Sequence, residues 1–330
     1  MLSNLPDFTK FKEEFTHELV TIRDTLRWIV TKFEEYDLYF GHGTDNAWDE
    51  ALLLLYFCFK IPQSAFSNIL DSKVCLSEKA KIWEYLIKRI VQKKPLAYIT
   101  NESWFSGMSF YIDERALIPR SPIAELINNN FEPHIEVDPE NILELCTGSA
   151  CIACVLAIQY PDAKVDAIDI CDDALEVAKI NVSDYNLENN VTLIKSDLFD
   201  KVPGKKYDLI VVNPPYVTQE ELDAMSEEYN YQINQTLLKL HYFLSYNHEP
   251  RKALYAKEQG LEFVVKILEQ SGNYLNENGL LVIELGDHEL DLHKRYPNIN
   301  FLWHEFENGG SGVFIMKKTD LDSSVFRKDY

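Results

Sequence analysis

From Ala124 onward, short apolar segments alternate with segments long enough to form a helix. Residues 141–146, 164–169, 192–195, 207–213, 280–285, 300–306 and 312–316 have the length and apolar content of strands. Residues 152–159, 173–185 and 260–271 fit helices between them. Such alternation forms βαβ units, in which the strands run parallel and helices cover both faces of the sheet. Because no long helix separates the last two strands, the sequence predicts an α/β domain over residues 123–330 whose seven-stranded sheet has an antiparallel last strand.

The first ninety residues follow a helical period instead. Apolar side chains recur in alternating steps of four and three at Phe15, Leu19, Ile22, Leu26, Ile29 and Phe33. This spacing is typical of one helix face. A turn at residues 41–46 interrupts the stripe, and further helices are expected at 47–59 and about 78–91. We therefore expect a small helical domain over residues 1–93.

Residues 94–122 have a short, extended pattern that predicts a linker. Within it, Gly107 separates two strand-like segments, which indicates a β-hairpin. Further along, Pro119 and Pro122 hold the backbone around Arg120 extended. The expected organisation is thus a helical domain, a hairpin linker and an α/β domain.

The charge of the chain limits its partners. It has 32 Lys and Arg against 53 Asp and Glu, which gives a net charge of −21 with His neutral. An acidic surface of this size repels a polyanion, so stable nucleic-acid binding is not expected, whereas a basic protein would be attracted. The longest apolar run, at residues 51–59, is far shorter than the about 20 residues that cross a membrane. The N-terminus also lacks the apolar core of a signal peptide.

The cysteines argue for a reducing compartment. They are Cys58, Cys75, Cys146, Cys151, Cys154 and Cys171, in apolar or strand-like contexts without the spacing of a secreted disulfide framework. We interpret them as buried small hydrophobes of a cytoplasmic protein. Cys151 and Cys154 form a CxxC pair, but no second pair of Cys or His lies at ligand spacing, so no metal site is expected.

In such sheets, ligands bind beyond the carboxyl ends of the strands. The first strand carries Glu144 and ends in a turn of small residues. The turn consists of Cys146, Thr147, Gly148, Ser149 and Ala150. Small side chains let a backbone approach a ligand beside helix N–H groups. The turn lacks the GxGxxG pattern of dinucleotide enzymes, and Glu144 suits an ammonium group better than a phosphate. An ordinary strand–helix turn is the alternative.

The next two strand ends carry carboxylates. Asp169 ends the second strand, where a carboxylate can accept both hydroxyls of a ribose. Helix capping is the alternative, although it suits Asp172 and Asp173 better. After the third strand, Asp197 can accept an exocyclic amine and Leu198 can cover an adenine ring. These residue types predict a nucleoside site.

A polar, rigid segment follows the fourth strand directly. It consists of Asn213, Pro214, Pro215 and Tyr216. Two prolines after a buried strand force an extended turn. The Asn213 amide oxygen and the Pro214 carbonyl would then be two fixed acceptors for the hydrogens of a planar –NH₂ group, on which Tyr216 could stack. This arrangement exposes a nitrogen lone pair to an electrophile. A plain Asn-Pro turn is the alternative.

In this order and spacing, ELCTGSACIA, AID, SDLF and NPPY resemble the motifs of class I S-adenosylmethionine-dependent methyltransferases, which have a Rossmann-like sheet. More closely, the chain is similar to the HemK/PrmB family of protein-glutamine methyltransferases, which modify the side-chain nitrogen of glutamine. It resembles most the branch that acts on the third large-subunit ribosomal protein. That likeness lies in FGHGTDNAWDEA (40–51), FYIDERALIPRSPIAELI (110–127), LCTGS and FENGGSGVF (306–314). The release-factor branch usually has a GTGTG-like loop where this chain has CTGSA.

The resemblance implies which residues bind the cofactor, S-adenosylmethionine. Residues 146–150 would line its methionine part, with Glu144 near the amino group. Asp169 would hold the ribose, and Asp197 with Leu198 the adenine. The helical domain would recognise the substrate.

The resemblance also implies that residues 213–216 bind the glutamine amide, with Asn213 bordering the cofactor and Arg120 near the pocket. The chain departs from the family at two places. Ala150 stands where the family has glycine, which adds a methyl group near the cofactor. Residues 230–246 are an extra segment in which apolar side chains could form an amphipathic helix over the substrate channel. A surface insertion is the alternative.

The expected chemistry is direct in-line displacement by the amide nitrogen, driven mainly by positioning, without a strong general base. Three other functions remain open at this point. They are glutamine methylation of release factors, adenine-N6 methylation of nucleic acid and a non-enzymatic role in ribosome assembly. The acidic charge disfavours a nucleic-acid substrate. Ala150 and the extra segment are the features that would fit a degenerate, non-enzymatic fold.

Overall fold

The computed structural model describes residues 8–36, 38–221, 250, 253–307, 309–321 and 326. The chain forms two compact units, and their first boundary lies between Asn101 and Glu102. The extra segment at 230–246 lies outside the described residues, so the helix expected there stays a prediction. Among the residues that are described, no helix combines the length and the apolar character needed to cross a membrane.

The first unit is built from helices. In chain order they are α1 (Phe8–His17), α2 (Ile22–Glu35), α3 (Ala47–Phe59), α4 (Gln63–Phe66), α5 (Leu76–Val91) and α6 (Leu96–Thr100), with a 3₁₀ turn at Ser67–Ile69. All six residues of the predicted apolar stripe are buried. The stripe nevertheless spans two helices, because Thr21 caps α2: its hydroxyl accepts from the Asp24 N–H, and the Asp24 carboxylate accepts from the Thr21 N–H. This capping box fixes a helix start that periodicity does not reveal.

The segment expected to be a hairpin linker is divided between the two units. Its first residues form α6, which ends at Asn101 in a left-handed conformation. The predicted hairpin is present as two antiparallel strands, β1 (Glu102–Phe105) and β2 (Met108–Tyr111). It belongs to the compact unit that contains the large sheet, rather than to a separate linker.

The second unit contains the large sheet. Its further elements are α7 (Ile123–Asn128), β3 (Asn141–Leu145), α8 (Cys151–Gln159), β4 (Lys164–Asp169), α9 (Asp172–Asp184), β5 (Val191–Lys195), β6 (Tyr207–Val212), α10 (Glu262–Ser271), β7 (Leu275–Glu284), α11 (Glu289–Arg295), β8 (Leu302–Trp303), β9 (Val313–Lys317) and α12 (Lys318–Leu321). In the described part of the chain, seven strands pair in the order β5-β4-β3-β6-β7-β9-β8. Strands β3 to β7 pair in parallel, and β9 is antiparallel to both neighbours. The predicted fold class is confirmed.

Both faces of this sheet are covered, as the apolar strands predict. Along β6, Leu209 and Val211 face a core with α7, α8 and α9, whereas Ile210 and Val212 face a core with α10 and α11. All four side chains are fully buried. A strand buried on both faces has a continuous apolar sequence instead of an alternating one.

Several elements differ from their predicted bounds or were not predicted, and three of them show where the sequence pattern fails. Strand β7 begins at Leu275, before the predicted start at 280. Residues 276–279 (NENG) are polar, so the sequence pattern did not indicate that they belong to the strand. Strand β8 has two residues where seven were expected. Helix α11 was not predicted, since Leu292 is its one buried side chain and a single apolar residue leaves no periodic pattern.

The cysteines correct one interpretation. All six are free, but three are not buried: Cys75 is exposed, and Cys146 and Cys171 are half-buried. Cys75 precedes α5, where its N–H donates to Glu78, and the other two lie at strand ends beside the candidate site. Within the described ranges, no group of three or more His, Cys, Asp or Glu side chains is placed to hold a metal ion.

Candidate active site

The strand order brings the carboxyl ends of β3, β4 and β6 together. Strand β3 pairs with β4 on one side and with β6 on the other. Leu145 is in register with both Ile168 and Val212. Cys146, Asp169 and Asn213 are therefore the next residues along three neighbouring strands. From β3 the chain continues to β4 and β5 on one side of β3, and it then crosses to β6 and β7 on the other side. The carboxyl ends of β3 and its two neighbours therefore form the switch point of the sheet, where ligands bind.

The turn after β3 has an unusual backbone. Cys146, Gly148 and Ala150 have φ angles of 58°, 56° and 59°. A left-handed conformation is open to glycine but costs a residue with a Cβ roughly 1–2 kcal/mol. Two such residues thus bracket the glycine, and backbone strain of this kind concentrates at ligand sites.

Glu144 is a buried carboxylate at this turn, with 2% of its surface exposed. The Thr147 hydroxyl donates to its Oε2 at 2.5 Å. Among the described residues, no Lys, Arg or His side chain pairs with it. Burial raises the pKa of the Glu144 carboxyl to about 8. A cation brought in from outside would offset the cost of ionising this group.

Asp169 connects the turn to the end of β4. Its Oδ2 accepts from the Gly148 N–H at 2.9 Å, and its Oδ1 accepts from the Cys171 N–H at 2.8 Å. Burial raises the pKa of the Asp169 carboxyl, and the backbone N–H groups act against this. The side chain therefore orients the loop after β3 and the loop after β4. Each of its oxygens keeps a lone pair for a ligand.

Asp197 lies near the same turn. Burial, together with the charges of Asp169, Glu144 and Asp197, holds the pKa of the Cys146 thiol well above its ordinary value. Asp197 is exposed, and the buried Leu198 has a φ of 43°. Three predicted carboxylates thus converge on Cys146.

Ile170 is a candidate site residue that was not predicted from the sequence. It is 58% exposed and directly follows Asp169 at the end of β4. A large apolar side chain exposed next to the half-buried Asp169 suits one face of a planar ligand. Its position after the strand-end aspartate was the available signal.

Asn213 and Pro214 follow β6 as expected. Pro214 is buried and Asn213 is half-buried. The Asn213 side chain makes no hydrogen bond with the described residues, so its amide oxygen is available to a ligand there. Pro215 and Tyr216 are half-buried, and the Tyr216 hydroxyl donates to Glu284 Oε1 at 3.2 Å.

Glu284 and Ser121 were also missed. Glu284, the last residue of β7, accepts from the Ser121 hydroxyl at 2.5 Å through Oε2. The charge of Arg120 acts on both Glu284 and Tyr216, so the structure brings Arg120 to the segment that follows β6. A glutamate in the apolar run LLVIEL was the signal for Glu284, whereas nothing in the sequence distinguishes Ser121.

Asn181 is a fourth missed residue, and it lies on α9. Its amide nitrogen donates to the carbonyls of Ser149 and Tyr111 at 2.9 and 3.0 Å, and its oxygen accepts from the Tyr111 N–H at 2.8 Å. Asn181 is fully buried. It therefore anchors the turn after β3 to the hairpin.

Comparisons with known proteins identify relatives of this chain. Residues 124–235 match the family model of the methyltransferase small domain. A ribosomal protein uL3 glutamine methyltransferase of Francisella tularensis is 40% identical over 312 residues, which are 94% of each chain. Another, of Neisseria gonorrhoeae, is 42% identical over 306 residues, or 92% of this chain and 96% of the relative. The solved structure of the hMettl16 catalytic domain in complex with MAT2A 3'UTR hairpin 1 is 20% identical, and the match covers 79% of this chain and 88% of that one. Its TM-score is 0.49, and the family assignment does not depend on it.

The doubly wound sheet and the family match define a methyltransferase domain. Identities of 40% and 42% over more than nine-tenths of the chain go further. The chain belongs to the family of ribosomal protein uL3 glutamine methyltransferases, which confirms the predicted family and branch.

Proposed function

We propose that this chain transfers a methyl group from S-adenosylmethionine to the side-chain nitrogen of a glutamine in ribosomal protein uL3. The observation that carries the proposal is the identity of at least 40%, over nearly full length, with two enzymes of that name. The geometry supports it, because the turn proposed to bind the amide, after β6, adjoins the carboxylates of Glu144 and Asp169 on β3 and β4.

The residues at these strand ends fit the cofactor. Glu144 is buried without a cationic partner in the described chain, and the ammonium group of S-adenosylmethionine would provide one. The oxygens of Asp169 have lone pairs for the two ribose hydroxyls. Asp197 would accept from the adenine amine, with Leu198 and Ile170 against the ring. The methionine part would lie along Cys146, Thr147, Gly148, Ser149 and Ala150.

The turn after β6 would hold the acceptor. The Asn213 side-chain oxygen and the Pro214 carbonyl would accept the two hydrogens of the glutamine amide, and Tyr216 would stack on its plane. An amide nitrogen is a weak nucleophile because its lone pair is delocalised. Fixing both hydrogens favours a pyramidal nitrogen and aims the lone pair, so positioning supplies most of the acceleration.

When bound, S-adenosylmethionine supplies an electrophilic methyl group. The amide nitrogen loses a proton after the transfer, when that proton has become acidic, so the chain needs no strong general base. Arg120 lies by the pocket, where its charge acts on Tyr216. We assign it to substrate binding.

The charge of the chain supports a protein substrate. A net charge of −21 attracts basic proteins, and ribosomal proteins are commonly basic. The same charge opposes stable binding of nucleic acid. The free cysteines are consistent with the reducing cytoplasm, where we place the reaction.

The test is mass spectrometry of uL3 and of the release factors from cells with and without the gene. We expect one methyl group on a uL3 glutamine, lost with the gene and restored by the wild-type chain but not by Asn213→Ala. Loss of methylation from a release factor instead would overturn the substrate. No change in any of these proteins would overturn the proposed function.

A further inference from the structure

Glu284 is a buried carboxylate beside the acceptor turn, and the proposed reaction does not use it. Only 5% of its surface is exposed. Strands β6 and β7 pair Val212 with Ile283 in register. Asn213 and Glu284 are therefore the next residues along two adjacent strands, which places Glu284 next to the residue that would hold the substrate amide.

Both oxygens of this carboxylate are engaged, and they connect two distant segments. Oε1 accepts from the Tyr216 hydroxyl at 3.2 Å, and Oε2 accepts from the Ser121 hydroxyl at 2.5 Å. Ser121 in turn accepts from the Ile123 N–H at 3.2 Å, at the start of α7. One side chain thus joins the segment after β6 to the segment that carries Arg120.

The ring of Tyr216 is also held by the backbone. Gly286 has a φ of 58°, and a Cβ at this position would lie 2.7 Å from Tyr216 Cε2. A Cβ at Gly260 would lie 2.4 Å from the Tyr216 carbonyl oxygen. The main chain therefore packs against Tyr216 closely, and the hydrogen bond to Glu284 sets where its hydroxyl end lies.

A carboxylate at this position is costly. Burial raises the pKa of the Glu284 carboxyl, while the hydrogen bonds of Ser121 and Tyr216 and the charge of Arg120 act against the increase. An apolar side chain would continue the apolar run of β7 without that desolvation cost. The presence of a carboxyl group at residue 284 is explained if its hydrogen bonds to Ser121 and Tyr216 position the residues of the acceptor pocket.

We infer that Glu284 is a positioning residue for the methyl-accepting pocket: through Tyr216 and Ser121 it fixes the aromatic ring and the Arg120 segment around the acceptor amide. This inference rests on the proposed function, in which Tyr216 stacks on that amide. Glu284 itself touches neither substrate nor cofactor in this role.

The test combines Glu284→Ala, Tyr216→Phe and the double variant, with uL3 as the methyl acceptor. We expect each single change to lower kcat about tenfold, and the double variant to lower it little further, because both remove the same hydrogen bond. The KM for S-adenosylmethionine should stay within about twofold of wild type. Glu284→Gln keeps an acceptor and should restore most of the lost kcat.

Glu277→Gln is the matched control, because Glu277 lies on the same strand with an exposed side chain. If Glu284→Ala does not fold, Glu284→Gln and Tyr216→Phe carry the test. Unchanged kcat in the folded variants, or losses that multiply in the double variant, would overturn the inference. If wild-type protein does not methylate uL3, the proposed function fails instead, so the two failures are distinguishable.

Discussion

The side-chain amide of Asn181 donates to the carbonyl oxygen of Ser149 at 2.9 Å, which links α9 to the turn after β3. The same side chain holds both backbone groups of Tyr111 on the hairpin. One fully buried residue therefore connects the loop assigned to the cofactor with the strand that leads towards Arg120 and Ser121.

Asn181→Ala should lower the free energy of unfolding by about 2–4 kcal/mol, because it leaves three backbone polar groups without their partner. Thermal or urea denaturation measures this change. The control is Asn189→Ala, an exposed asparagine just beyond α9, which should change stability by less than about 0.5 kcal/mol. Equal stability of the two variants would contradict the anchoring role.

Ala150→Gly should relieve backbone strain, because residue 150 has a φ of 59°. Ala153→Gly is the matched control: it lies within α8, where glycine is unfavourable, and both alanines are fully buried. The lost methyl group is then common to both changes. We expect Ala150→Gly to be more stable than Ala153→Gly by about 1–2 kcal/mol. A calorimetric comparison that reverses this order would argue against strain at residue 150.

Glu144 should make the ligand-free protein less stable as pH rises. Its pKa is raised from 4.5 to about 8, so between these values the folded chain binds more protons than the unfolded chain. The free energy of unfolding should therefore fall by up to a few kcal/mol across this window. Urea denaturation at several pH values measures the slope.

Glu144→Gln keeps an acceptor for Thr147 and has no charge to bury. In this variant the slope between pH 4.5 and about 8 should become shallower by the contribution of one group. Identical slopes in the two proteins would show that folding does not raise the pKa of the Glu144 carboxyl.

Asn213→Ala should retain cofactor binding and lose turnover by about a hundredfold or more, since it removes one of two acceptors that hold the amide. Calorimetric titration with S-adenosylhomocysteine measures the first quantity, and methyl transfer to uL3 measures kcat. Asn189→Ala should leave both unchanged. Parallel loss of affinity and turnover in Asn213→Ala would contradict its assignment to the acceptor amide.

The parts of this protein that the sequence predicts depend on local rules. Buried strands such as β6 are continuous apolar runs, and the rigid turn from Asn213 to Pro215 follows from proline geometry. The strand ends that carry Glu144 and Asp169 could be located in the same way. The family also follows from the sequence, because its motifs occur in order along one chain.

The tertiary structure alone decides which distant residues meet. Ser121 and Glu284 are 163 residues apart, and the hydrogen bond between them exists because the fold brings the segment before α7 to the end of β7. Likewise, Asn181 reaches Ser149 because α9 packs beside α8. Periodicity and turn chemistry act within a few residues, whereas strand order and helix packing bring remote polar groups to one place. The cofactor and acceptor motifs could thus be found in the sequence, but their supporting residues could be found only in the fold.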